Sequence, residues 1–157
     1  MKIKSLLLIL SCISCMTVGA QDFASRFMME FNQDSTIHCQ TISPKMMEKL
    51  GSVQRNRKGK EAVRLITKLK SARIITGEDK PEYFRHAEKM LKQNRQRFVP
   101  LSQSTALGNN LIFVRQKDNS IIELILLNQD STEGTFTLIN LTGNMDKEFI
   151  RILSEGQ

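Results

Sequence analysis

The spacing of apolar residues along the chain is helical before Pro100 and alternating after it. Near the start, Phe23, Phe27 and Phe31 recur every fourth residue, which predicts a short helix capped by Asp22. The same periodicity predicts three more helices: one over residues 43–51 that begins at a Ser-Pro pair, one from residue 61, and a long one that follows a capping box at residues 79–82. The first part of the chain is therefore mainly helical.

Alternating runs predict strands at residues 36–42 and 72–77, between these helices. After Pro100, the runs at residues 111–116, 121–127 and 135–142 are joined by polar turns and favour an antiparallel meander, which a last helix at residues 146–153 follows. We therefore predict one α+β domain of two layers, with helices packed on a mostly antiparallel sheet of four to six strands.

The first twenty residues have the pattern of a signal peptide. Lys2 and Lys4 precede a short apolar run, and Val18 and Ala20 occupy the −3 and −1 positions of a small-residue cleavage site. We predict cleavage after Ala20, with residues 21–157 exported as a single domain to the periplasm or the outer membrane. Lipidation at Cys15 is the less favoured alternative. Export removes cytosolic ATP, NAD and nucleic acid from the expected partners.

Cys39 is the only cysteine after residue 20, so the exported chain cannot form an internal disulfide. A single cysteine in an oxidising compartment is safest when it is buried, where it behaves as a small apolar side chain. We therefore expect Cys39 to be buried.

The charge of the chain is concentrated in its middle. Residues 45–97 contain sixteen Lys or Arg against six Asp or Glu. The densest part is a polar segment whose cations, Arg55, Arg57, Lys58 and Lys60, form our candidate anion-binding site. A solvated surface loop is the alternative interpretation. Because no aromatic residues lie among these cations, the segment lacks the stacking platform of a nucleic-acid site.

Catalytic and metal-binding patterns are scarce. The two histidines, His38 and His86, have no ligands at metal-site spacing, and the chain contains no nucleophile elbow and no phosphate-binding glycine loop. We therefore predict a non-enzymatic protein with no cofactor and no metal. A hydrolase is the least favoured alternative, and it would need residues such as Ser43, His86 and Glu123 to come together from three elements.

The tripeptide Asp-Ser-Thr occurs twice, at residues 34–36 and 130–132. Both copies lie at predicted turns, where Asp and Ser are expected because they bond to the backbone. The tripeptides also resemble the O-glycosylation acceptor of some Gram-negative anaerobes.

The C-terminal part of the chain carries a family resemblance. Its two apolar runs and the sequence Leu141-Thr142-Gly143-Asn144-Met145-Asp146 are similar to the strand–strand–L-T-G-x-h-D–helix ending of small exported proteins of Bacteroidetes type. That family is domain-of-unknown-function family 4252. The resemblance implies an exported α+β domain and a setting near sigma/anti-sigma signalling genes, and it brings no catalytic residue.

Export, the scarcity of catalytic patterns and this resemblance together favour one function. We expect an envelope protein that acts through contact with an unidentified protein partner, with envelope signalling as one setting. Binding of an anionic lipid or lipopolysaccharide surface through the basic face is the alternative.

Overall fold

The computed structural model describes residues 21–54, 60–78, 80–101, 110–130 and 134–155. The elements follow in the order α1 (Phe23–Glu30), β1 (Ile37–Ile42), α2 (Pro44–Gln54), α3 (Lys60–Lys68), β2 (Leu69–Glu78), α4 (Pro81–Gln93), β3 (Val99–Pro100), β4 (Leu111–Lys117), β5 (Ser120–Asp130), β6 (Thr135–Met145) and α5 (Lys147–Glu155). No helix in these ranges is long and apolar enough to cross a membrane.

The six described strands form one sheet in the order β1-β2-β6-β5-β4-β3, and every neighbouring pair is antiparallel. β4, β5 and β6 form a meander. β2 pairs with β6, the last strand of this meander, through residues such as Ile75 and Leu138. Asp118 and Asn119 form the tight turn between β4 and β5 with φ values of 49° and 65°. Asp and Asn tolerate this left-handed backbone well, which explains their presence in a two-residue hairpin. The predicted α+β class with a C-terminal meander is confirmed.

Helices cover both faces of the sheet. β5 is apolar on both sides, because Ile125 and Leu127 point to one core while Leu124 and Leu126 point to the other. The first core contains buried side chains of α1 and α4, and the second contains those of α5 together with Leu65 of α3. An antiparallel sheet commonly leaves one face in water. Because these central strands are apolar on both faces, the sheet lies between two helical layers. The domain therefore has three layers, whereas two were predicted.

Some element ends differ from their predictions. α2 continues through Gly51, whose hydrogens face Ile66 of α3, where an added Cβ would lie 3.8 Å from the isoleucine methyl. Lys80 precedes α4 and makes no side-chain cap, while Asp79 of the predicted capping box lies outside the described residues. The predicted cap of α1 is confirmed, because Asp22 accepts a hydrogen bond from Ser25 N at 2.8 Å.

The prediction that Cys39 is buried is wrong. Cys39 lies on β1, the strand at one edge of the sheet, and residues 38–41 are all exposed. Only Ile37 of this strand reaches a core. The alternation of β1 is therefore that of a solvated edge strand, which the described helices leave uncovered beyond its first residue.

Candidate functional site

The basic segment lies largely outside the described residues. Arg55, Arg57 and Lys58 fall in the gap between α2 and α3, and Lys60 begins α3 with a side chain that is not described. The candidate anion-binding site at these four cations stays a prediction.

The three residues named for a hydrolase are not brought together. Ser43 precedes α2 next to the edge strand β1, whereas Glu123 lies on β5, three strands away. At about 4.8 Å for each strand, this separation is about 14 Å. His86 contacts the carboxylate of Glu30 and packs edge-on against Phe31, with ring centroids 5.2 Å apart. These contacts place His86 in a helix–helix interface and give it no nucleophile to activate.

Glu123 is fully buried, and both of its carboxylate oxygens make contacts that hold the fold together. One carboxylate oxygen accepts the backbone N–H of Phe23 at 2.6 Å, and the other accepts Arg115 Nε at 2.8 Å. Asn140 of β6, also buried, accepts the backbone N–H of Ala24 at 2.8 Å. Two polar side chains of the sheet thus satisfy the first free N–H groups of α1. Glu123 is the one acidic residue in the apolar run of residues 121–127, and this position was the sequence signal for the arrangement.

A second polar cluster joins the turn after α1 to the start of α4. Asp34 accepts hydrogen bonds from Tyr83 and from Thr36, whose hydroxyl lies 2.7 Å away. Lys80 Nζ lies 2.9 Å from Thr36 Oγ1 and 3.1 Å from Tyr83 Oη. The hydrogen bonds from Tyr83 and Thr36 hold the pKa of Asp34 well below its usual range, and the hydrogen bond to Tyr83 raises the pKa of Lys80. Each donor in the cluster has an acceptor, so the cluster ties the turn after α1 to the start of α4. We call Asp34, Thr36, Lys80 and Tyr83 the clamp.

The first Asp-Ser-Thr tripeptide belongs to this clamp. Ser35 is exposed between Asp34 and Thr36. Residues 131 and 132 of the second tripeptide lie outside the described residues. Glycosylation at either copy stays a prediction.

A groove lies at the opposite edge of the sheet from Cys39, between the C-terminal half of α4 and strands β3 and β4. It encloses 610 Å³. We call it the edge groove, and its lining residues are Glu88, Lys92, Arg95, Phe98, Val99, Pro100, Leu111 and Phe113. The sequence pattern does not reveal this groove, because β3 has only two residues, too few for alternation to indicate a strand.

The walls of the edge groove are apolar and its helical rim is charged. Phe98 and Phe113 are buried at its base, while the side chain of Val99 is 53% exposed. Lys92 pairs with Glu88 at 2.7 Å one turn earlier on α4. Arg95 is exposed beyond the end of the helix. This combination suits a ligand with an apolar group flanked by negative charge.

Within the parts of the chain that the structure describes, no three His, Cys, Asp or Glu side chains gather in the manner of a metal site. The polar groups around the edge groove are also too few to form a nucleophile with a base and an orienting acid.

The fold is thus an α+β domain with an antiparallel sheet between helices and a groove at one sheet edge. The chain belongs to the family described as Domain of unknown function (DUF4252), whose sequence profile matches residues 31–153. The resemblance of the C-terminal strands is confirmed by this match. The matched region contains the whole sheet and the edge groove, and it begins just after α1. No curated protein and no solved structure matches the chain.

Proposed function

We propose that this chain is an exported, non-enzymatic binding protein of the cell envelope that holds an acidic segment of a partner protein in the edge groove. The observation that carries the proposal is the groove itself, where apolar walls meet a cationic rim. An extended partner segment would place an apolar side chain near Val99 and Phe113, with its carboxylates at Lys92 and Arg95.

The positive charge of the protein favours an acidic partner. The formal net charge is +7 for residues 1–157 and +5 once Lys2 and Lys4 are removed with the signal peptide, so acidic partners are attracted from a distance as well as in contact. The pair of Lys92 with Glu88 is exposed on the helix surface, and such pairs contribute only about 0.3–0.5 kcal/mol. Lys92 can therefore exchange Glu88 for a partner carboxylate at little cost.

The test compares two fluorescent peptides that share an apolar centre, one flanked by Asp and Glu and the other by Lys. Fluorescence anisotropy of the purified protein should show tighter binding of the acidic peptide. The double variant Lys92→Glu with Arg95→Glu should weaken that binding by about tenfold or more, since each decade corresponds to about 1.4 kcal/mol.

The double variant Arg85→Glu with Lys89→Glu is the matched control. Both residues are exposed on the same helix and do not line the groove, so their reversal makes the same charge change elsewhere. Equal affinity for the two peptides, or an equal loss in the control variant, would refute a specific role for the groove.

Attachment to an anionic lipid or lipopolysaccharide surface is the second candidate function. It is favoured by the density of positive charge at Arg55, Arg57, Lys58 and Lys60, four cations within six residues. This function needs no groove, so the two candidates separate by the residues on which binding depends.

A further inference from the structure

Three arginines from separate elements gather on the α1 face of the sheet. Arg26 lies on α1, Arg97 precedes β3, and Arg115 lies on β4. The guanidinium carbons of Arg26 and Arg97 lie 5.7 and 5.5 Å from the centroid of the same ring, that of Phe98. Arg115 binds the buried Glu123. We call Arg26, Arg97 and Arg115 the arginine cluster.

The positive charge of this cluster exceeds its negative charge. Glu123 is its only carboxylate among the described residues, and both of its oxygens are already engaged, by Phe23 N and by Arg115. Within the described ranges, Arg26 and Arg97 form no ion pair with any carboxylate. One carboxylate therefore balances three guanidinium groups.

Several N–H donors of the cluster also lack acceptors. Arg26 Nε, Arg26 Nη2 and Arg97 Nε are buried without a hydrogen-bond partner among the residues that the structure describes. Arg97 Nη2 donates to the carbonyl oxygen of Gln21 at 3.2 Å. Burial, together with the like charges of Arg115 and Arg26, lowers the pKa of Arg97. Buried cationic donors without acceptors are costly, so an anion bound at this place would stabilise the fold.

The segments that adjoin the cluster in sequence supply no carboxylate. Residues 1–20 and 102–109, which adjoin Gln21 and the strand after Phe98, contain no Asp and no Glu. In sequence, Asp79 follows Glu78 and Glu133 lies two residues before Thr135, and Glu78 and Thr135 pair at the end of the sheet that contains Asp130. Along β5 that end lies seven residues from Glu123, about 23 Å in an extended strand. The last residues follow α5, which packs on the other face of the sheet.

We propose that the arginine cluster binds a phosphate-type oxyanion. The planar guanidinium group presents parallel N–H donors that match the oxygens of such an anion, and two arginines can hold one phosphate from two sides. Contact with Phe98 orients the guanidinium groups of Arg26 and Arg97 before the ligand arrives, which lowers the entropy cost of binding. The same chemistry serves free inorganic phosphate and the phosphate monoester of an envelope lipid or lipopolysaccharide headgroup.

The test measures the thermal stability of the purified protein in sodium phosphate, in sodium glycerol 3-phosphate and in sodium chloride at matched ionic strength. A ligand that binds only the folded state raises the melting temperature, by about 4 °C or more once it is well above its Kd. We expect this rise in phosphate and not in chloride. A larger rise in glycerol 3-phosphate than in phosphate would identify a headgroup as the source, and the reverse order would identify the free ion.

Arg97→Gln separates this site from the general basicity of the chain. The variant should lose the phosphate-dependent rise, while its melting temperature in chloride stays equal to or above that of the wild type because a repulsive charge is removed. Arg85→Gln, an exposed change on α4, should keep the full rise. A rise retained in Arg97→Gln, or equal stability of the wild type in phosphate and chloride, would overturn the proposal. If Arg97→Gln fails to fold, phosphate titration of the wild type by calorimetry decides the question, and absence of binding heat refutes the site.

Discussion

Glu123 on β5 accepts the backbone N–H of Phe23 at 2.6 Å, across 100 residues of sequence. A carboxylate at the start of a helix meets both the free N–H groups and the positive end of the helix dipole. Because Glu123 also binds Arg115, one buried side chain joins α1, β4 and β5. The amino-terminal helix is therefore held by polar contacts as well as by its phenylalanines.

Replacing Glu123 by Ala should lower the free energy of unfolding by about 3 kcal/mol, since it removes a buried charge and leaves Arg115 and Phe23 N without an acceptor. Urea denaturation of the purified protein measures this loss. Glu148→Ala is the control, because Glu148 pairs with Lys68 at 3.3 Å from a position whose side chain is 43% exposed. The control should cost about 1 kcal/mol or less. Equal losses in the two variants would contradict the role given to burial.

The clamp at Asp34 predicts a dependence of stability on acidity. The pKa of Asp34 is depressed in the folded state, so its contribution is present above the ordinary value of 3.8 and is lost as the pH falls below it. The difference in unfolding free energy between the wild type and Asp34→Asn should therefore be constant near pH 6 and shrink below pH 4. Denaturant unfolding across this range checks it, with the exposed change Glu48→Gln as the control. A difference that grows on acidification would show that the sign is wrong.

Gly143 should not tolerate a side chain. An added Cβ would lie 2.9 Å from Leu69 Cα and closer still to the carbonyl oxygen of Lys68, where the register of β2 and β6 shifts. Because backbone atoms cannot move aside cheaply, Gly143→Ala should cost about 3 kcal/mol. Gly51→Ala is the matched control, since its nearest neighbour would be 3.8 Å away and alanine favours a helix by about 0.5–1 kcal/mol. Thermal denaturation of both variants compares them, and a neutral Gly143→Ala would contradict the close approach.

Cys39 should react with a thiol reagent in the folded protein without denaturant, because its side chain is exposed on an edge strand. Mass spectrometry after brief maleimide treatment locates the adduct, and a sample in urea gives the rate for the open chain. A native rate within about tenfold of the urea rate is expected, since the reagent reaches the exposed thiol without any unfolding of the chain. Protection until unfolding would indicate burial.

The basic segment gives a prediction that the sequence alone supports. If Arg55, Arg57, Lys58 and Lys60 contact an anionic surface, reversal of all four charges should abolish sedimentation with anionic liposomes, and wild-type binding should fall with salt because the Debye length is about 8 Å at physiological ionic strength. Because the sequence predicts a surface loop here, the melting temperature should change little, since surface changes rarely exceed about 0.5 kcal/mol. Binding that survives the reversal would place the contact elsewhere, and no binding by the wild type at low salt would leave a solvated loop.

The meander was predictable because its determinants are local. Alternating apolar residues define β4, β5 and β6, and Asp118 with Asn119 favours the tight turn. The pairing of β2 with β6 was not predictable, because partners such as Ile75 and Leu138 are separated by a long stretch of chain and nothing in their own alternation selects the neighbour.

The sites were less predictable than the fold for a related reason. Phe98 belongs to no helix or long strand, yet it lines the edge groove and supports the guanidinium groups of Arg26 and Arg97. Each of these residues is ordinary in its own segment. Their roles depend on the packing of α1, α4 and β4 against one another, and the pattern of a single sequence does not specify that packing.

The strand order has a consequence for the time course of folding. The two central strands, β5 and β6, are the last strands in the chain, and α1 finds its polar acceptors Glu123 and Asn140 only there. Contacts between such distant residues form late, because long loops must close first. The polar contacts of α1 consequently form only after residues 111–145 have folded into the hairpins that supply their acceptors. The first helix of the chain is therefore among the last elements to be fixed in place.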